Sequence, residues 1–247
     1  VESIKGDNAF RVCFSDPNQG VGSADYFAEN FPDAKVGVVY NSSDVYSNGI
    51  FKTFKKEAAA KGVNIVATEA FTKDSAQDFT VQIQKMKEAG ADLVFLPFYA
   101  QEASLFLTQA DKAGLDVQFF GCDGLDGVID QLGSNAQLAE GVMLLTPYAA
   151  DSDNPESKKF TEAYKAKYNG EVPNQFAADA YDAMYIIKAA AEKAGVTPDM
   201  SVSDICDAMK TAMTEIEFTG ATGTMTWSTD GEPTKTPMAM VIKDGAY

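Results

Sequence analysis

Along the first 147 residues, short apolar runs alternate with longer segments of helical period. The runs are Phe10 to Ser15, Lys35 to Tyr40, Asn64 to Phe71, Asp92 to Phe98, Val117 to Gly121 and Gly141 to Pro147. They are nearly continuous and rich in Val, Ile, Leu and Phe, the pattern of strands buried on both faces of a parallel sheet. Between them the spacing predicts helices over about 20–30, 46–61, 77–89 and 101–113. The second follows Asn41-Ser42-Ser43-Asp44, a cluster of helix-capping types, and stops at Gly62. The third has the cap-like pair Ser75 and Asp78 and stops near Gly90. Strand and helix in repeated alternation imply right-handed crossovers and a doubly wound α/β unit.

After Pro147 the pattern changes. The polar, turn-forming stretch Tyr148 to Asn154 leads into a region of helices with almost no strands, at about 155–168, 176–194 and 201–213. In the middle one, Ala177, Ala180, Tyr181, Met184, Ile187 and Ala191 form one apolar stripe that needs a cover. A final strand pair is expected around Thr224 to Trp227 and Pro237 to Lys243, flanking the turn Thr229-Asp230-Gly231. The helices of 155–213 have no sheet of their own to pack on, so a partner sheet is expected to be missing from the chain. No internal repeat or low-complexity tract is evident.

Charge and composition narrow the chemistry. The 247 residues carry 36 acids against 20 bases, a formal charge of −16, and no histidine. Triads and dyads that depend on histidine are excluded, as are the commonest zinc ligands. The charge would repel a phosphate backbone, and Lys52, Lys55 and Lys56 are the only basic run, so nucleic acid is not an expected partner. An anionic membrane surface is disfavoured for the same reason, and no apolar run reaches the ~20 residues of a membrane span. Cys13, Cys122 and Cys206 are odd in number and far apart, which fits buried free thiols better than a disulfide framework.

Neither phosphate-loop nor dinucleotide glycine spacing occurs. Asp151 to Glu156 has calcium-loop composition, yet lacks the glycine and distal glutamate in register and reads as a helix-capping turn. No catalytic constellation is present, so the chain is not expected to be an enzyme, and no cofactor or metal is expected. What stands out is Tyr46, Tyr99 and Asp123, each following a predicted parallel strand. Open α/β sheets bind ligands at that edge. An aspartate among tyrosines suits a ligand carrying a positive amino group, which the carboxylate pairs with and the rings shield from water.

Five segments together resemble landmarks of the leucine/isoleucine/valine-binding proteins. They are Phe10-Arg-Val-Cys-Phe-Ser-Asp-Pro-Asn-Gln-Gly20, Val39-Tyr-Asn-Ser-Ser-Asp-Val-Tyr-Ser-Asn-Gly49, Asp92-Leu-Val-Phe-Leu-Pro-Phe-Tyr99, Phe120-Gly-Cys-Asp-Gly124 and Phe176-Ala-Ala-Asp-Ala-Tyr-Asp182. That family comprises extracellular ligand-binding receptors of ABC importers with the type I periplasmic-binding fold, in which two α/β lobes close over one amino acid. The resemblance implies a remnant at 1–18 leading to the crossover between lobes, a complete second lobe at 19–147, first-lobe helices at 148–228, and a C-terminal strand at 229–247 returning across the hinge. It also implies that the N-terminal part of the first lobe is absent.

By the same resemblance, Asp123 stands where the family has an acid that binds the ligand's α-amino group, one methylene shorter than the Glu of some members. Tyr99 matches a cleft tyrosine contacting that group, Tyr46 a tyrosine facing the cleft, and Phe176 an apolar wall. The implied ligand is a small amino acid, branched-chain by preference. The implied partner is a membrane permease and ATPase complex, and the implied location is extracellular or periplasmic, with lipid anchoring as one form of attachment. Sensory and regulatory domains built on the same lobes are the alternative reading. The isolated chain is expected to self-associate through its uncovered helix faces.

Overall fold

The computed structural model describes residues 8–235 and 237–245. The first seven residues of the expected 1–18 segment and the last two of the 229–247 tail lie outside the described residues. The chain divides into two compact units, one of Asp16–Thr146 with Pro237–Tyr247, the other of Val1–Ser15 with Pro147–Thr236.

The first unit is built on a six-stranded sheet. Strands β1 (Val36–Asn41), β2 (Ile65–Phe71), β3 (Leu93–Leu96), β4 (Gln118–Gly121) and β5 (Met143–Thr146) are parallel, and β8 (Met238–Val241) closes one edge antiparallel to β5. The spatial order is β2-β1-β3-β4-β5-β8. Helices α1 (Asp16–Asn30) and α2 (Val45–Lys61) cover one face, and α3 (Thr80–Ala89) and α4 (Ala100–Lys112) the other.

This arrangement accounts for the unbroken apolar runs. Successive strand residues point to opposite faces, and both faces are covered. Val38 joins Phe27, Phe54, Phe95 and Phe120 beneath α1 and α2, while its neighbour Val39 joins Phe79, Met86, Phe98 and Phe106 beneath α3 and α4. The helices begin and end on the expected signals. Asp44 accepts from Ser47 N at the start of α2, and Gly62 and Gly90 take left-handed conformations at the ends of α2 and α3. Between β4 and β5 lie a 3₁₀ turn at Asp123–Leu125, the short α5 (Val128–Leu132) and a second 3₁₀ segment at Gly133–Ala139.

The second unit contains α6 (Pro155–Lys167), α7 (Gln175–Ala194), α8 (Val202–Met213) and a two-stranded ribbon of β6 (Phe218–Gly220) and β7 (Gly223–Met225). Two expectations are corrected here. Phe10 to Ser15 is not a strand. It is an irregular connector whose Arg11 carbonyl accepts from Trp227 Nε1 at 2.8 Å and whose Arg11 N–H donates to Gly231 O at 3.0 Å. Phe10 and Val12 pack on the cluster around Trp227 and Ile186, and a buried connector has the same composition as a short buried strand.

Second, the stretch around Thr224 does not pair with the last strand. β7 pairs with β6, β8 pairs with β5, and an isolated bridge, Trp227 to Pro233, flanks the Thr229-Asp230-Gly231 turn. In α7, whose apolar stripe is expected to lack a cover, a different face is buried. Ala178, Ile186 and Ala190 are buried together with Asp179 and Asp182. Asp182 accepts from Ala221 N, Thr222 N and Thr222 Oγ1 at 2.7–2.8 Å, whereas Asp179 accepts from Lys235 Nζ at 3.0 Å through Oδ1 and its buried Oδ2 has no hydrogen-bond partner. Within the stripe, Ala177 and Tyr181 pack against the cluster of Tyr148 and Phe160, while Met184 and Ile187 are 67% and 53% exposed. Among the described residues no helix is long and apolar enough to cross a membrane.

Candidate functional site

Parallel strands deliver their C-terminal ends to one edge of the sheet, and the loops leaving β1, β3 and β4 meet there. Tyr46 sits in the first turn of α2, held by the Asp44 cap. Tyr99 is the residue preceding α4. Asp123 opens the 3₁₀ turn after β4.

The structure brings these three together. The Tyr46 and Tyr99 rings stack with centroids 4.6 Å apart at 19°. Tyr46 Oη donates to Asp123 Oδ1 at 2.6 Å and accepts from Gly124 N at 2.8 Å. The Asp123 N–H in turn donates to Gln19 Oε1 of α1 at 3.1 Å. Asp123 and Tyr46 are almost wholly buried, at 6% and 8% exposure, whereas Tyr99 is 46% exposed. Tyr99 is thus the outer ring of the stack and the one open to solvent.

Two features of this arrangement were not singled out from the sequence. Gln19 is 104 positions from Asp123 and gives no local signal. Gly124 is required by contact, because a Cβ there would lie 2.6 Å from Tyr46 Oη and 3.0 Å from its ring. A glycine directly after a strand-end acid is a legible hint of such close approach.

The electrostatics are one-sided. Burial, then the Asp123 charge, pushes the Tyr46 phenol well above its usual range. Burial, then Asp44, Asp123 and Asp16, pushes Tyr99 up to about 12. Both phenols therefore remain protonated donors at neutral pH, and the charges acting on Tyr99 are all carboxylates. Burial raises the Cys122 thiol, which faces Ser23 Oγ at 3.7 Å and is a packed, unreactive group. A half-open aromatic surface beside a buried carboxylate, in negative potential, attracts a small cation such as a protonated amine.

Phe176 belongs to the other unit. It is the second residue of α7, after the Asn174 cap, and its ring is 47% exposed. That unit also has an apolar groove of about 310 Å³ lined by Phe10, Ile186, Ile187, Met209, Met213 and Trp227. Cys13, Cys122 and Cys206 form no disulfide with one another; Cys122 is buried, Cys13 half-buried and Cys206 exposed. Among the described residues, no cluster of three or more His, Cys, Asp or Glu could hold a metal ion.

The sequence matches the periplasmic binding protein family over residues 2–246. The leucine-, isoleucine-, valine-, threonine- and alanine-binding protein of Pseudomonas aeruginosa is 32% identical over 187 residues, which is 75% of this chain and 48% of that protein. This chain spans about half the length of the curated relatives it matches. Among solved structures, a leucine-binding protein from Thermotoga maritima superposes with a TM-score of 0.83 at 27% identity, over 96% of this chain and 65% of that one. LivJ, the branched-chain amino acid transporter substrate-binding protein of Streptococcus pneumoniae, in complex with isoleucine, gives 0.81 at 28% identity, over 94% and 63%.

Proposed function

Because this chain belongs to the periplasmic binding protein family, we propose that it binds a small amino acid for import by an ABC transporter, without chemical change. The observation that carries this reading is the Asp123 carboxylate, buried yet held next to the half-exposed Tyr99 ring. A carboxylate beside a half-exposed aromatic ring suits a ligand that carries a positive charge, and the α-ammonium of an amino acid supplies one. Tyr99 adds a neutral phenol donor and an aromatic face to the same ligand.

Branched-chain amino acids are the preferred class. The partner is a membrane permease and ATPase complex, and the location is the periplasm or the outer cell surface. A thermal-shift screen of the intact protein against the common amino acids tests the reading, since a ligand that binds only the native state raises its melting temperature. Leucine, isoleucine or valine should raise it, and an aromatic carboxylate lacking an amine should not. No shift with any amino acid would overturn the proposal.

A further inference from the structure

We infer that Asp179 and Lys235 form a proton-operated latch in the second unit: when Asp179 is protonated, Lys235 lets go of α7 and frees the end of the strap 231–235. The strap follows β7, and the chain passes from it into the first unit at Pro237. Its start is held by backbone contacts, with Arg11 N–H donating to Gly231 O at 3.0 Å and Ser228 N–H to Glu232 O at 3.0 Å. Its middle is held by the Trp227 to Pro233 bridge and by Thr234 N–H donating to Thr226 O at 2.9 Å. Its end is held by the Lys235 side chain. Lys235 Nζ donates to Asp179 Oδ1 at 3.0 Å and to Thr222 Oγ1 at 2.7 Å, and the side chain is 2% exposed.

The two acids of α7 near this ammonium are served unequally by the protein. Asp182 accepts from Ala221 N, Thr222 N and the Thr222 hydroxyl. Asp179 accepts from Lys235 through Oδ1, and its buried Oδ2 has no hydrogen-bond partner. A buried carboxylate oxygen without a donor has lost its hydration with nothing in exchange, so Asp179 is where the cluster takes up a proton. Burial raises its carboxyl above the usual range, against the Lys235 charge and hydrogen bond, and Asp182 adds a smaller upward push. The charged groups facing Asp179 are Lys235 from the strap and Asp182 from α7. Glu232, the strap's other charge, is paired with Arg11 at 3.1 Å. Once Asp179 is neutral, the buried ammonium has lost the charge that offset its desolvation. Asp182 is linked to it at one remove, through the Thr222 hydroxyl. The flexible four-carbon stem of lysine then carries the ammonium out to water, while the bonds of Asp182 to Ala221 and Thr222 keep the β6–β7 turn in place.

Trp227 is the single tryptophan of the chain and is 4% exposed at the bridge to Pro233, so its fluorescence reports on the strap. In the intact chain, with circular dichroism confirming that it stays folded, acrylamide quenching of Trp227 should rise from pH 7 to pH 4.5 in a single-proton step. Hydrogen exchange at the Thr234 amide, corrected for its intrinsic pH dependence, should speed up about tenfold over the same range, as expected of a local opening. Asp179→Asn keeps the shape and removes the charge, and should show the acid values of both measurements already at pH 7, with no further step. Asp179→Leu combined with Lys235→Met replaces the pair by apolar groups and should hold the strap closed at every pH. That double variant serves equally if Asp179→Asn does not fold. Quenching and exchange in wild type that do not change between pH 7 and pH 4.5 would overturn the inference. So would a pH step that survives in the double variant, since it would place the proton on another acid such as Glu232. No ligand enters any of these measurements, so their outcome is independent of the amino acid reading.

Discussion

Gly124→Ala is a one-carbon perturbation whose consequences follow from the geometry of the site. An ideal Cβ at this position comes within 2.6 Å of Tyr46 Oη and 3.0 Å of Cε1 and Cζ, all on a ring stacked against Tyr99. The ring cannot retreat without breaking the hydroxyl's bonds to Asp123 and Gly124. The first is a bond to a carboxylate, worth roughly 1.5–3 kcal/mol, and the second leaves a buried N–H unsatisfied at roughly 1–3 kcal/mol. Partial relaxation should leave a net loss of about 2–4 kcal/mol, a large share of the 5–15 kcal/mol by which domains are usually stable. Urea denaturation with a ligand titration on the same sample measures both effects, and affinity for L-leucine should fall at least tenfold. Gly127→Ala is the control. Gly127 has φ of +93° with no atom within 4 Å of its Cβ, so it should carry only a backbone penalty of about 1–2 kcal/mol and leave affinity intact. A Gly124→Ala protein of wild-type stability and affinity would refute the packing argument.

Two other predictions concern the second unit. Burial raises the Asp179 carboxyl above its usual range despite the adjoining Lys235, so the native state holds this proton more tightly than the unfolded chain. The group therefore costs stability above its folded pKa and recovers it as pH falls: wild type should gain stability on Asp179→Asn between pH 7 and pH 4, and a constant difference in urea melts would contradict this. Met184 and Ile187 are exposed on one face of α7, and an uncovered apolar face promotes association. The isolated chain should be oligomeric by light scattering, and the double substitution Met184→Lys with Ile187→Lys should return it to monomer; a wild-type monomer would refute the assignment of this face.

The sheet was legible in the sequence because both its faces are covered. Val38 and Val39 serve opposite cores, as do Val94 and Phe95, and a strand buried on both sides leaves an apolar run that composition alone reveals. The same signal misled at Phe10 to Ser15, where the half-buried Phe10 and Val12 pack on the Trp227 cluster without a ladder. The three-residue strands β6 and β7 were too short for alternation to register, and their turn is fixed by Asp182, some forty positions earlier. The α7 stripe was read as apolar and without a cover, which fits the exposure of Met184 and Ile187, but the face that packs was not legible, because it is defined by two acids whose partners, Lys235 and the Ala221 and Thr222 amides, are distant in sequence. At the candidate site, Tyr46, Tyr99 and Asp123 were found because strand ends of a parallel sheet converge. Their hydrogen bonds and the contribution of Gln19 depend on the packing of α1, which no local pattern encodes.

The central claim is that the Asp123 carboxylate holds a ligand's ammonium group. Isothermal titration calorimetry of the intact protein with L-leucine at pH 7, wild type against Asp123→Asn, tests it most directly, because Asn keeps the shape and removes the charge. Leaving a desolvated ammonium without its counter-charge costs about 2–5 kcal/mol, or roughly 30- to 4,000-fold in affinity. Wild type should bind and the variant should lose at least thirtyfold. Equal affinity in the two proteins, with both folded, would contradict the account.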